Sequence, residues 1–286
     1  MLSTLLAVML AADPLPAFPV EQSPADANLA KVVLVAGSNY YKAGEHSYVA
    51  GCMVLADLLR QTPGVAPVLA LDWPKKPETL AGAKAVVLMF DGGDKHGLLT
   101  GDRFAQFQKL ADGGTGVVLL HQCLDCPTEF GDRLRALGGA AWEKGYSQRA
   151  HWVAEFKEFP NHPVMRGVKP FQIDDGWLTK LRFSSGMKGI TPLVRTSNPK
   201  GPTPGSPEES VVGWAFERPK GRSFAFTGCH LHASFAEEGY RRFLVNGILW
   251  SAGLAVPPDG SPVALDLAKL PQYLVTSPAP QPPSKK

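Results

Sequence analysis

Gly116-Val117-Val118-Leu119-Leu120-His121 is an unbroken apolar run closed by an imidazole. A short run without polar alternation fits a strand buried on both faces, which is how strands of a parallel sheet read. Similar runs lie at Lys31-Val32-Val33-Leu34-Val35-Ala36, at Val65 to Leu71, and at Ala85-Val86-Val87-Leu88-Met89-Phe90. Between them the period changes. Tyr48, Cys52, Leu55 and Leu59 recur at helical spacing, with Val49, Met53 and Ala56 widening the stripe and Pro63-Gly64 ending it. Phe104, Phe107 and Leu110 mark a further helix closed by Gly113-Gly114. This alternation predicts an α/β fold, doubly wound, with a mostly parallel sheet and helices on both faces. The second half is less regular. Strand-like runs occupy 189–195, 210–216 and 222–227, a loop with four prolines spans 197–209, and Phe243, Leu244, Gly247 and Ile248 define a last helix.

The chain of 286 residues has an ordinary apolar content of 44% and a net charge of +3. No basic run with interleaved aromatics occurs, so neither nucleic acid nor a charged membrane surface is indicated as a partner. Residues 1–12 are apolar but too short to span a bilayer. They read as a short secretory signal ending in Leu10-Ala11-Ala12, although without a basic start, or else as a disordered or surface-packed leader. The first reading implies an exported or periplasmic protein. Residues 13–30 read as a linker, 31–257 as the α/β domain, and 258–286 as a proline-rich, largely disordered tail. Among four cysteines, Cys123-Leu124-Asp125-Cys126 forms a C-x-x-C. That spacing suits a local disulfide in an exported protein, or half of a zinc site whose complement is missing.

Histidines carry the chemistry. His121 and the pair His230-Leu231-His232 each follow an apolar strand-like run. In open α/β sheets, ligands bind beyond the carboxyl ends of the strands. Imidazoles there can move protons or hold a metal near neutral pH. His121 occupies the sharp strand-to-helix turn that presents nucleophiles in other α/β enzymes. His230 and His232 would point to one side if the segment is extended. Glu45 and His46 precede the first helix, and Asp91-Gly92-Gly93 offers a close backbone approach to a ligand or a plain tight turn. Asp174-Asp175-Gly176-Trp177 reads either as carboxylates beside a sugar-stacking ring or as an Asp-Gly turn between strands.

Several of these segments in fixed order resemble the ThuA-like family. They are Gly44-Glu45-His46-Ser47-Tyr48, Asp91-Gly92-Gly93, Gly116 to His121, His162-Pro163-Val164-Met165-Arg166-Gly167-Val168, Asp175 with Trp177, Phe226 to His232, and Arg241 to Trp250. The resemblance implies a fold similar to class I glutamine amidotransferase and flavodoxin-like domains. In the amidotransferases the elbow holds a cysteine nucleophile. Here the elbow is His121, and an imidazole cannot run the thioester route. Amidotransferase activity is therefore disfavoured, and Cys123 and Cys229 remain the thiols a glutaminase-like hydrolase would need. The chain departs from the family's Asp-Glu-Trp pattern at Gly176. The resemblance further implies a carbohydrate as partner, as a 3-keto-sugar or 3-keto-glycoside processed by proton abstraction and elimination or by hydrolysis. On that reading His121, His230 and Asp175 are catalytic. Glu45, His46, Tyr48, Asp91, Gly92, Gly93, Trp177 and His232 bind substrate, and His46, His121 and His230 hold a divalent metal such as zinc. The rival reading is a non-catalytic sugar- or partner-binding module of the same fold. A homo-oligomer stays open.

Overall fold

In a computed structural model of the chain, residues 15, 17–38, 40–200 and 209–276 are described. The expected leader at 1–12, most of the proline loop, and the last ten residues lie outside them. The elements run β1 (Ala30–Ala36), α1 (Tyr48–Leu59), β2 (Val65–Leu71), α2 (Pro77–Leu80), β3 (Ala85–Met89), α3 (Arg103–Asp112), β4 (Gly116–Leu120), α4 (Gly131–Gly138), β5 (Ala140–Ala141) and β6 (Gln148–Phe156). Then come β7 (Phe171–Thr179), β8 (Arg182–Phe183), β9 (Ile190–Ser197), β10 (Glu209–Glu217), β11 (Arg222–Phe226), α5 (Glu238–Ser251) and α6 (Leu270–Thr276).

A seven-stranded sheet in the order β2-β1-β3-β4-β11-β10-β9 forms the centre. Its first five strands are mutually parallel, β10 runs antiparallel to them, and β9 pairs antiparallel with β10. Successive side chains of a strand face opposite sides. Val32 and Leu34 accordingly join the core under α1 and α5, while Val33 and Val35 join the core under α3 and α4. The doubly wound, mostly parallel fold read from the sequence is the observed one. Gly247 lets α5 lie close on the sheet, since a Cβ there would stand 2.5 Å from the Phe224 ring.

The sequence reading did not find β6 and β7. They pair antiparallel from Gln148↔Thr179 to Phe156↔Phe171. Trp152, Phe156, Phe171, Ile173 and Trp177 fill the core shared with α5. Asp175-Gly176 is therefore mid-strand, and the Asp-Gly turn is not formed. Two further expectations need correction. Within the linker, Val20 bridges to Leu69 beside β2, and the Glu21 carboxylate accepts from the Lys75 and Lys76 amides and the Thr79 hydroxyl. Within the expected disordered tail, residues 258–276 pack onto the domain, with Val263, Leu270 and Tyr273 buried. All four cysteines are free and buried, so Cys123 and Cys126 form no disulfide.

Candidate functional site

Three loops at the carboxyl ends of parallel strands meet over the sheet. The loop after β1 brings His46, the end of β4 brings His121, and the segment after β11 brings His230. The chain turns back between β1 and β3 in the strand order, which is the switch point where open α/β sheets bind ligands. His46 and His121 have φ of 47° and 54°, and Cys229, just before His230, has 81°. Non-glycine residues rarely adopt this left-handed conformation, and it concentrates at functional sites. At His121 it forms the sharp turn that the sequence position suggested.

The rings converge. His46 Nε2 lies 2.9 Å from His121 Nε2 and 2.7 Å from His230 Nδ1. One ring nitrogen from each residue falls within 4.8 Å of the other two, a grouping that can hold a metal ion. His121 Nδ1 lies 2.7 Å from the Thr227 carbonyl oxygen. That oxygen can only accept, so Nδ1 carries the proton and Nε2 presents its lone pair to the cluster. Metal-bound histidines are commonly oriented in this way, by a backbone carbonyl on the far nitrogen. His46 Nδ1 is buried with no hydrogen-bond partner. Burial, reinforced by neighbouring imidazoles, lowers the pKa of His46 to about 4 and that of His121 well below its ordinary value. Burial likewise lowers His230, followed by repulsion from His151. Neutral imidazoles with convergent lone pairs are the form metals bind.

The surroundings divide into a wall and a rim. Tyr41 packs edge-on against His46 at 4.0 Å, and Tyr48 stacks parallel to it at 5.8 Å. The Tyr48 hydroxyl donates to Asp91 Oδ1 at 2.8 Å. Burial raises the pKa of Asp91, against the lowering effect of that bond. Glu45 stands on the rim, paired with Lys42 at 2.8 Å and electrostatically coupled to His230 and His46. The hairpin adds His151, whose Nε2 lies 2.9 Å from Asp174 Oδ1 and whose ring meets His230 edge-on at 5.7 Å. Arg149 on the same strand pairs with Asp125. Sequence reading missed His151 and Arg149 because their nearness depends on the β6–β7 register.

Other expected site residues lie elsewhere. Trp177 is 1% exposed, and its Nε1 donates to the Trp152 carbonyl, so it packs the core and stacks on no sugar. Tyr48 is fully buried and serves the wall. His232 points away from His230. Its Nε2 lies 3.1 Å from the Leu270 carbonyl, and its ring faces Phe235 and Tyr273. The positive φ at Cys229 and the 3-10 turn beginning at His232 break the alternation that would have aligned the two rings. Gly92 and Gly93 make their close approach to the loop after β4. A Cβ on Gly92 would lie 2.5 Å from the Gln122 carbonyl oxygen, and the Gly93 amide donates to the Asp125 carbonyl at 2.9 Å. Asp175 has no exposed surface and orients no sugar. Its carboxylate accepts from the backbone amides of Gly176, Cys229, His230 and Leu231. Burial pushes it up to about 7 against the pull of those amides.

The thiols do not make a nucleophile. Burial holds Cys123 and Cys229 well above the ordinary thiol range and raises Cys126 to about 12. A thiolate is the attacking form, so a glutaminase-like role for these residues is opposed.

Fold and site together define a class, the glutamine amidotransferase-like α/β domains, here with an imidazole at the nucleophile's elbow and two more beside it. The family profile described as ThuA, trehalose utilisation, matches residues 31–251, and the chain belongs to that family. A ThuA-like protein of Parabacteroides merdae ATCC 43184 superposes with a TM-score of 0.59 at 17% identity, over 82% of this chain and 96% of that one. One from Bacteroides uniformis ATCC 8492 gives 0.58 at 14% identity, over 84% and 98%. A cytoplasmic protein of Salmonella typhimurium LT2 gives 0.51 at 12%, over 77% and 99%. At such identities the likeness is one of fold. No protein of curated function matches the chain in sequence. Among the described residues no helix is long and apolar enough to cross a membrane.

Proposed function

We propose that the protein is an enzyme that holds a divalent metal on His46, His121 and His230 and acts on a carbohydrate, specifically a 3-keto-sugar or 3-keto-glycoside. The convergence of three neutral ring nitrogens at the sheet's switch point carries the metal part of this reading. The family's description supports the carbohydrate part.

A ketone at C3 acidifies the neighbouring C2–H. When a base takes that proton, the C–H electron pair passes into the ketone as an enolate. As the enolate collapses back to the ketone, the pair forms the C1–C2 double bond while the C1–O bond breaks, and the leaving oxygen keeps its electrons and gains a proton. A divalent ion at the three nitrogens would supply a Lewis acid for the ketone oxygen. The sequence points to His121 as the base. With its Nδ1 committed to Thr227 and its Nε2 among the donors, we assign it to the metal instead. Proton transfer then falls to the rim, where Glu45 and His151 are accessible from solvent and adjoin His230. Tyr41 forms the wall against which the sugar would lie.

The test is to measure bound metal in purified protein and to supply 3-keto-glucosides with and without a chelator. We expect about one equivalent of divalent ion per chain, turnover abolished by the chelator and restored by zinc, and both lost in His121→Ala. Neither metal uptake nor turnover, beside an active control enzyme, would overturn the proposal. Tight binding of unmodified sugar that His121→Ala leaves intact would favour a binding module instead.

A further inference from the structure

We propose that Asp175 and Gly176, neighbours in β7, are positioning residues that set the His230 ring as the third donor of the cluster. The inference rests on the metal reading for its consequence, but its geometry stands apart from it.

His230 lies beyond the end of β11, where a single bridge from Glu45 to Leu231 is its backbone pairing. A carboxylate holds its amide side. Asp175 Oδ1 accepts from the His230 amide at 2.8 Å and the Leu231 amide at 3.3 Å, and Oδ2 accepts from the Cys229 amide at 3.1 Å. Ser234 Oγ donates to the same Oδ2 at 3.3 Å, and the Gly176 amide to Oδ1 at 2.8 Å. Three successive amides around a fully buried carboxylate form an anion nest turned inward on the protein's own side chain. Leaving those donors unpaired in the interior would be costly, so the segment 229–231 has one favoured placement. The His46 amide in turn donates to the His230 carbonyl at 2.9 Å. That bond and the one from the His232 amide to the Gly44 carbonyl form a backbone bridge, so the His46 loop follows the placement that the carboxylate sets for 229–231.

Gly176 sets the ring. A Cβ at this position would stand 3.0 Å from Cγ, 3.2 Å from Cβ and 3.3 Å from Cδ2 of His230. The imidazole thus lies in the space a side chain would take. Its backbone is held by Asp175 and its Nδ1 sits 2.7 Å from His46 Nε2. From another side His151, the cross-strand partner of Gly176, closes edge-on at 5.7 Å. A side chain at 176 would require the ring to give by a few tenths of an ångström, and such a movement changes its 2.7 Å approach to His46. Glycine leaves the ring where the tight cluster needs it.

The experiment compares wild type, Gly176→Ala, Asp175→Asn, His230→Ala and the double variant Gly176→Ala/His230→Ala. Zinc affinity is measured by chelator competition, ring nitrogen signals by NMR on metal-free protein, and unfolding by thermal melts. We expect Gly176→Ala to stay folded, to shift the ring signals of His46 and His230, and to weaken zinc binding roughly 10- to 100-fold, as loss of the groups that orient a metal's ligands does. Added to His230→Ala, it should cost nothing further. Asp175→Asn places an amide donor against the nest and should disturb the same two rings; if it unfolds, Gly176→Ala decides. Wild-type ring signals and zinc affinity in Gly176→Ala would overturn the inference, as would additive losses in the double variant. If wild type binds no zinc, the metal reading fails, and the ring signals alone still decide the positioning.

Discussion

His96 shows how much a single sealed imidazole can cost this protein in acid. Its Nε2 lies 3.1 Å from the Cys123 carbonyl oxygen, and its Nδ1 accepts from the Leu98 amide at 3.3 Å. The neutral ring satisfies both contacts. A second proton would set Nδ1–H against an N–H. Burial lowers its pKa to about 4, against an ordinary value of 6.5. Between these values the unfolded chain binds a proton that the folded one refuses, so stability rises with pH across the window. The contribution is fully present above pH 6.5 and is lost as pH falls through 4. Each tenfold weakening of proton binding corresponds to about 1.4 kcal/mol, so the neutral ring is worth roughly 3 kcal/mol. Urea unfolding at several pH values should therefore show a flatter acid slope in His96→Gln than in wild type, and equal slopes would refute the assignment. At this scale the sequence was legible where backbone geometry is simple. His121 was found because it ends a strand. His232 was misplaced because a left-handed residue at 229 turns the chain, and nothing in H-x-H announces that turn.

The loops after β3 and β4 are joined backbone to backbone, and Gly92 is the contact. A Cβ there would stand 2.5 Å from the Gln122 carbonyl oxygen and 2.8 Å from the Asp125 carbonyl oxygen. Backbone cannot rotate aside as a side chain can. Gly92→Ala should force the loops apart and cost about 1–3 kcal/mol, the usual range for overpacking. Because Gln122 directly follows His121, zinc affinity should fall with it. Denaturant unfolding and the same chelator competition measure both, and an unchanged midpoint would show that the loops separate freely. Paired glycines in the sequence indicated a close approach to a ligand or a tight turn, and the approach seen is to the protein's own backbone. The partner could not be read, since it lies 30 residues away. The β6–β7 hairpin escaped for a related reason. Phe171, Ile173 and Trp177 alternate inward as a strand should, but Asp175 occupies the inward position between them. A carboxylate there, followed by glycine, imitates a turn. It is inward because amides from another strand's end need it, a demand that no local pattern records.

Over the whole molecule, the central sheet was legible because runs buried on both faces leave continuous apolar segments. The closure of the domain was not. Residues 258–276 contain three prolines, yet nine of the nineteen are apolar and side chains of α5 anchor the segment. The Arg241 Nε donates to the Val263 carbonyl at 3.0 Å, Arg242 Nη1 to the Ser261 carbonyl at 2.8 Å, and the Ser261 amide to Asn246 Oδ1 at 3.0 Å. Such a segment needs no periodicity of its own, so composition misleads. Its helix α6 then covers α1, where the Tyr273 hydroxyl donates to Asp57 Oδ2 at 2.7 Å, and it takes the otherwise stray ring of His232 onto the Leu270 carbonyl. Truncation after Pro257 should uncover this face. Burial of Val263, Leu270 and Tyr273 is worth roughly 2 kcal/mol each, and freedom returned to the released backbone offsets part of that. A net loss of a few kcal/mol should lower the melting midpoint by about 5–10 °C in a domain of this size. The three-histidine cluster lies on the other side of the 230–232 turn and should still take up zinc once the truncated protein is folded. Coincident melts of full-length and truncated chains would show that the segment rests on the domain without belonging to its cooperative unit.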